Sequence, residues 1–173
     1  MSLTTIQESR FISVLRSTRT ALYWAFEPLD ALARKVNHLD YYPPIPLRRH
    51  VGPLGSLDGV GMEFVAYLKL LLELKTTDRI LDLGCGCGLF ELALEAQGWR
   101  GALVGVDIHQ PCIRWAQRRI TSRVPSFRFI HADIYNAAYW SQGTMSALEW
   151  FQQFPDTDFD VVLAKSLFTH MLP

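Results

Sequence analysis

Arg79-Ile80-Leu81-Asp82-Leu83-Gly84-Cys85-Gly86-Cys87-Gly88 is the stretch that decides the fold. Its first half is short and apolar enough for a buried strand. Its second half is a glycine loop. Residues Leu89 to Gln97 then read as a helix, with Gly98 placed to end it. A strand that runs through a glycine loop into a helix builds a crevice for a nucleotide-like cofactor. Glycines let the backbone turn tightly and come close to a ligand. The helix start adds unpaired N–H groups and a positive dipole end.

Downstream, the same alternation continues. Ala102 to Val106 reads as a second strand and Pro111 to Ser122 as a helix with proline in its first turn. Phe127 to His131 reads as a third strand, and Asp160 to Ala164 as a fourth. Between the last two, Tyr135 to Pro155 carries Tyr139, Trp140, Trp150, Phe151 and Phe154. It is too apolar for a free loop and is expected to form a helix packed partly on the sheet. Upstream, Met62 to Leu74 reads as a helix with a wide apolar face. Short apolar strands alternating with helices predict a parallel sheet with right-handed crossovers, an α/β three-layer sandwich.

Three carboxylates fall at strand ends. Asp82 lies two residues before Gly84, Asp107 closes the second strand 19 residues after Gly88, and Asp133 follows the third. A carboxylate beside the glycine loop is ill suited to a pyrophosphate and well suited to a cationic amine. That charge favours S-adenosylmethionine, which has an ammonium, a sulfonium and no phosphate, over NAD or FAD. At the tip of the second strand, Asp107 is placed to accept ribose hydroxyls, a feature the two kinds of ligand share. Asp133 is placed to accept from an adenine amino group while Ile134 packs on the ring. In such sheets ligands bind at the carboxyl ends of the strands.

Arg79 to Gly88 resembles the first motif of class I S-adenosylmethionine-dependent methyltransferases. Val106-Asp107-Ile108 resembles the acidic end of their second strand, and Ala132-Asp133-Ile134 their adenine-contacting motif. Residues Phe159 to Pro173 resemble their fourth strand and the start of the next helix. The resemblance covers roughly residues 60 to 173. It implies a Rossmann-like parallel sheet, S-adenosylmethionine as cofactor and methyl transfer to a small molecule or a protein side chain. It further implies a cofactor site drawn from Asp82, Gly84, Cys85, Gly86, Gly88, Asp107, Ile108, Asp133, Ile134 and Lys165. The family's sheet has seven strands. This sequence ends at Pro173, after the fourth, so a methyltransferase-type but incomplete sheet is expected. Its fourth strand would be an exposed edge, open to self-association or to cover by the N-terminal helices. Two other readings stand beside this one: a non-catalytic module that binds S-adenosylmethionine or serves in interactions, and an NAD-linked oxidoreductase, against which Asp82 counts.

The segment before this domain carries no functional motif. Residues 5 to 38 read as one or two amphipathic helices, with Pro28 expected to kink or split them. The run Tyr41-Tyr42-Pro43-Pro44-Ile45-Pro46 reads as a stiff, non-helical connector. Residues 1–50 are therefore expected to form a helical extension with a Pro-rich connector, and 51–173 the cofactor-binding domain.

Composition narrows the function classes. In 173 residues, Lys plus Arg total 17 and Asp plus Glu total 17, so no net field draws the chain to nucleic acid. Arg114, Arg118, Arg119 and Arg123 read as a solvated helix face. Three cysteines, two of them one residue apart, fit a reducing compartment rather than a disulfide framework, and the chain is expected to be cytoplasmic. Cys85 and Cys87 have no second pair at ligand spacing, so no metal is expected. The stretch from Phe64 to Leu74 is broken by Lys69 and Glu73 and is too short to span a bilayer. If the acceptor must lose a proton, His170 is the candidate base.

Overall fold

The computed structural model describes residues 3–48, 57–137, 139–154 and 158–165. The chain divides into two compact units, Met1–His50 and Val51–Pro173.

The first unit holds helices α1 (Leu3–Val36) and α2 (Ile45–Arg48). Contrary to expectation, Pro28 does not split the segment and lies inside α1. A proline removes one N–H from the ladder, and the flanking turns hold the helix through it. The Pro-rich connector is also shorter than the sequence suggests. Ile45 and Pro46 open α2, because a proline in a first turn gives up only an N–H that has no helical partner. An ion network ties the two helices. Arg34 pairs with Glu27 at 2.7 Å and with Asp30 at 2.8 Å, and Arg48 reaches the other oxygen of Asp30.

The second unit is built on a four-stranded parallel sheet of order β3-β2-β1-β4. Its strands are β1 (Arg79–Leu83), β2 (Ala102–Asp107), β3 (Phe127–His131) and β4 (Val161–Leu163). Its helices are α3 (Leu57–Leu72), α4 (Leu89–Ala96), α5 (Gln110–Ala116), which runs on as a π-helical turn over Gln117–Thr121, and α6 (Ala147–Gln152). The order places β1 centrally, so its carboxyl end lies between those of β2 and β4. This is a Rossmann-like α/β fold.

Side-chain alternation assigns the two faces. Leu81, Val104, Val106 and Ala132 form a buried cluster, against which Ile108, Ile134, Trp150, Phe154 and Phe159 pack. The aromatic stretch after β3 therefore does reach the sheet, but through one short helix. Its first part forms bridges instead, Ile134 with Met145 and Asn136 with Trp140. Ser146 starts α6 with a capping box: its hydroxyl accepts from the Glu149 amide at 3.3 Å, and its own amide donates to the Glu149 carboxylate at 2.7 Å. On the opposite face, Ile80, Leu103 and Phe127 are fully buried. Truncating a buried phenylalanine such as Phe127 to alanine costs about 3–5 kcal/mol in comparable cores.

Gly105 has a packing reason of its own. A Cβ there would come within 2.8 Å of the Phe129 ring and 2.9 Å of Cys85 Sγ. Its bareness lets the glycine loop and β3 close over the middle of β2. β4 is an edge of the described sheet, and Val162 on it is 58% exposed. No helix among the described residues is long and apolar enough to cross a membrane.

Candidate functional site

The glycine loop leaves the end of β1 and doubles back onto β2. The amides of Gly84 and Cys85 both donate to the Val106 carbonyl, at 2.7 and 3.1 Å, and the Gly88 amide donates to Cys85 O at 2.9 Å. The turn requires Gly84, Gly86 and Gly88 at φ of 82°, 58° and 80°, a region that L side chains rarely adopt. Gly88 is the N-cap of α4. A Cβ on it would also lie 2.6 Å from Ile120. The loop is thus fixed in shape by backbone bonds and by the absence of side chains.

Asp107 is the hub. Its Oδ2 accepts the Gly86 amide at 2.8 Å and its Oδ1 accepts the His109 amide at 2.6 Å. One carboxylate therefore braces the glycine loop and the turn into α5, with lone pairs left for further donors. Ile108 follows it in the turn and joins the buried cluster, as Ile134 does from beyond β3. His131 reaches back from β3 to the Ile108 carbonyl, with Nε2 to O at 3.0 Å.

Asp82 lies beside Gly105 and Leu163 in register and is only 5% exposed. Burial pushes its carboxyl up to about 7, with Asp107 adding to the rise; a hydrogen bond with Glu91 and the charge of Lys165 oppose it. Glu91, in the first turn of α4, is fully buried. Burial, and then the charge of Asp82, raise its carboxyl well above the ordinary range. Neither carboxyl oxygen of Glu91 has a hydrogen-bond partner of its own.

Lys165 follows β4 and sets its ammonium 4.2 Å from the centre of the Phe64 ring on α3. Burial lowers its pKa, while Asp82 and Glu63 act to raise it. Asp133 is committed locally. Thr144 Oγ1 donates to its Oδ2 at 2.5 Å, and its carbonyl accepts the amides of Thr144 and Met145. The Thr144 bond is the main reason its carboxyl stays below the usual range. Ser166 and His170, the candidate base, lie outside the described residues.

The structure thus brings together Asp82, Gly84, Cys85, Gly86, Gly88 and Asp107 at the tips of β1 and β2, with Lys165 reaching them electrostatically. Asp133 and Ile134 lie beyond β3, bound into the turn that carries Trp140.

Three features escaped the sequence reading. Glu91 looked like one more residue of α4. Trp140 packs edge-on to His109 and His131, at centroid distances of 6.2 and 5.4 Å, and its buried indole N–H meets no acceptor of hydrogen-bond geometry. The Cys87 thiol donates to Cys112 Sγ at 2.9 Å, with His109 Nδ1 at 3.1 Å from the same sulfur. The Cys87 bond, with help from His109, brings the Cys112 thiol down to about 7 against the effect of burial, whereas burial raises Cys85 and Cys87. A carboxylate alternation or a glycine spacing signals none of these. Glu91 alone had a possible flag, a charged residue in an otherwise apolar helix run.

The donor set tests which ligand suits this crevice. It offers carboxylates at two strand tips and glycine backbone between them. Such a set accepts from an ammonium and from sugar hydroxyls, and it repels a pyrophosphate. A sulfonium nucleoside with an amino-acid tail fits.

Fold and loop define a Rossmann-like parallel sheet of the methyltransferase type. A family model described as "Methyltransferase domain" matches residues 80–173, more than half of the chain, and the chain belongs to that family. Among solved structures it is similar to the YcgJ protein from Bacillus subtilis, with 20% identity over 61% of this chain and 37% of that one (TM-score 0.40). It is similar to a TehB-like SAM-dependent methyltransferase from Corynebacterium glutamicum, with 14% identity over 68% and 58% (TM-score 0.37). It is also similar to YjhP from E. coli, with 32% identity over 44% and 32% (TM-score 0.34). In each case the chain spans less than two thirds of the other protein's length.

Proposed function

We propose that this chain binds S-adenosylmethionine at the tips of β1 and β2 and directs its methyl group to an acceptor. The observation that carries the reading is the Asp107 carboxylate, which fastens the glycine loop through Gly86 and keeps acceptor capacity for a ribose. Family membership supports the same cofactor.

When bound, the cofactor supplies an electrophilic methyl on sulfur. The protein's work is then placement and exclusion of water. The positive-φ loop of Gly84, Gly86 and Gly88 leaves backbone, not side chain, against the amino-acid tail. Asp82 receives the ammonium. Asp107 accepts from the ribose hydroxyls while still holding Gly86 and His109. Ile108 and Ile134, anchored in one apolar cluster, frame the adenine, and Asp133 accepts from its amino group. Lys165 stands over Phe64 near Asp82, on the side where β4 ends.

Incubation of the full chain with methyl-labelled S-adenosylmethionine and panels of small-molecule and protein acceptors tests this. Transfer of label that is abolished by Asp107→Ala supports an enzyme. Tight cofactor binding with no transfer to any acceptor supports the non-catalytic module instead.

A further inference from the structure

We propose that Cys87 and Cys112 are an oxidative modification site: a small hydroperoxide joins their sulfurs in a disulfide that ties the glycine loop to α5 and weakens the hold on the cofactor. Formation of the bond stands on the sulfur geometry. Its consequence for affinity rests on the cofactor reading above.

The two cysteines come from pieces of chain that meet only in the folded unit. Cys87 lies in the glycine loop between Gly86 and Gly88, both at positive φ. Cys112 lies in the first turn of α5, close behind the N-cap His109. The Cys87 thiol donates to Cys112 Sγ at 2.9 Å, and both residues are free cysteines with none of their surface exposed. A disulfide bond is about 2.05 Å long, so the sulfurs stand within about one ångström of bonding. Cys85 is nearer to Cys87 in sequence, yet its sulfur turns to the Gly86 carbonyl and not to a thiol.

His109 makes the pair more than a packing contact. Its Nδ1 lies 3.1 Å from Cys112 Sγ, so that sulfur has a thiol and an imidazole as hydrogen-bond partners. Both favour a negative charge on it, and they bring the Cys112 thiol down to about 7 against the effect of burial. Cys87 is the donor of the pair and keeps its proton, and burial raises its thiol. The roles follow: Cys112 attacks and Cys87 resolves.

The steps balance with hydrogen peroxide as the oxidant. Cys112 passes its proton to His109 Nδ1, and its sulfur attacks one peroxide oxygen. An S–O bond forms and the O–O bond breaks. The departing oxygen takes the proton from His109 and leaves as water. Cys87 sulfur then attacks Cys112 sulfur, the S–O bond breaks, and the hydroxide leaves as water with the Cys87 proton. Two thiols are oxidised by two electrons and the peroxide is reduced. Burial selects this class of oxidant. A glutathione-sized disulfide has no approach to either sulfur, whereas hydrogen peroxide is little larger than water.

The pair is wired to the crevice through Asp107. Cys87 adjoins Gly86, whose amide donates to Asp107 Oδ2 at 2.8 Å. Cys112 contacts His109, whose amide donates to Asp107 Oδ1 at 2.6 Å. Drawing Cys87 towards α5 therefore pulls on both bonds of the carboxylate assigned to the ribose.

Mass spectrometry of the native full chain after hydrogen peroxide treatment tests the modification. The expected product has lost two hydrogens and yields a peptide linking Cys87 to Cys112. It reverts with dithiothreitol, and Cys85 stays free. Oxidised glutathione is expected to add nothing. Calorimetry with S-adenosylmethionine tests the consequence. Affinity is expected to fall at least fivefold on oxidation and to return with dithiothreitol. Cys112→Ala, on α5 and not among the cofactor residues, is expected to bind as the reduced wild type does and to ignore peroxide.

No linked peptide, or a linkage through Cys85, would overturn the proposal. So would a linkage that forms only when hydrogen exchange opens across β1 and β2, because the unfolded chain would then be the species oxidised. Equal affinity of the reduced and oxidised chains would overturn the effect on the cofactor. Absence of S-adenosylmethionine binding by the reduced wild type would remove the cofactor reading, and the linked peptide would still decide the modification.

Discussion

The Gly86 amide donates to Asp107 Oδ2 at 2.8 Å, so the middle of the glycine loop hangs from the tip of the neighbouring strand. Loop shape, and under the proposed reading ribose recognition, then depend on one carboxylate. Asp107→Ala removes acceptors for the loop, for the His109 amide and for the sugar at once. Charge-assisted hydrogen bonds of this kind are worth about 1.5–3 kcal/mol each. Cofactor affinity is expected to fall by roughly tenfold to a hundredfold or more. Calorimetry reads the affinity, and faster exchange of the Gly86 amide would report the loosened loop. Unchanged affinity would mean that the sugar is held elsewhere.

Two glycines with similar backbone angles separate strain from packing. Gly88 has φ of 80°, and a Cβ there would strike Ile120 at 2.6 Å. Gly98 has φ of 76°, and a Cβ there would meet nothing within 4 Å. Gly98→Ala is expected to cost about 1–2 kcal/mol, the penalty for a left-handed alanine. Gly88→Ala adds overpacking of about 1–3 kcal/mol. Urea unfolding of the two variants checks the order, and equal losses would show that the Ile120 contact relaxes freely.

The buried acid pair sets a pH dependence. The pKa of Asp82 is raised to about 7 and that of Glu91 is raised well above the ordinary carboxylate range, both chiefly by burial. A raised folded-state pKa gives stability that is fully present below the unfolded value, near 4 for carboxylates, and is lost as pH climbs through the folded value. Stability is therefore expected to decline from mildly acidic pH to pH 7 and above, by up to about 1.4 kcal/mol per pH unit for each group held protonated. Glu91→Gln removes one titration, so its curve should be flatter. Denaturant melts at a series of pH values compare the two, and parallel curves would contradict a raised pKa at Glu91.

Ser146→Ala tests how α6 is held on the sheet. The hydroxyl accepts the Glu149 amide at the helix start, and losing an N-cap of this type costs about 1 kcal/mol. The loss should appear as increased exchange around Trp150 and Phe154, which α6 and the turn after it press onto the Leu81, Val104 and Val106 cluster. Exchange raised instead across β1 and β2 would mean that this cap supports the whole unit.

The strands and the glycine loop were legible because they depend on local pattern. Ile80, Leu81 and Leu83 make β1 a short apolar run broken only by Asp82, and the three glycines sit where only positive φ closes the turn. The bounds of β3 matched the sequence reading, and β2 gained only Asp107 beyond it. Pro28 was misleading, because a single lost N–H does not outweigh the turns on either side of it. Pro46 was misleading in the opposite direction, since a first-turn proline is compatible with α2. Glu91, Trp140 and the Cys87–Cys112 contact were illegible for a common reason. Each is created by elements that meet only after the sheet has formed: α4 against β1, the Trp140 turn against the ends of β2 and β3, and the loop against α5.

Calorimetric titration of the full chain with S-adenosylmethionine and, in parallel, with NAD tests the central claim most directly. The account predicts one saturable site for S-adenosylmethionine, weakened by Asp82→Asn and by Asp107→Ala, and no binding of NAD. Binding of NAD, or no heat with S-adenosylmethionine from a chain that still unfolds cooperatively, would contradict it.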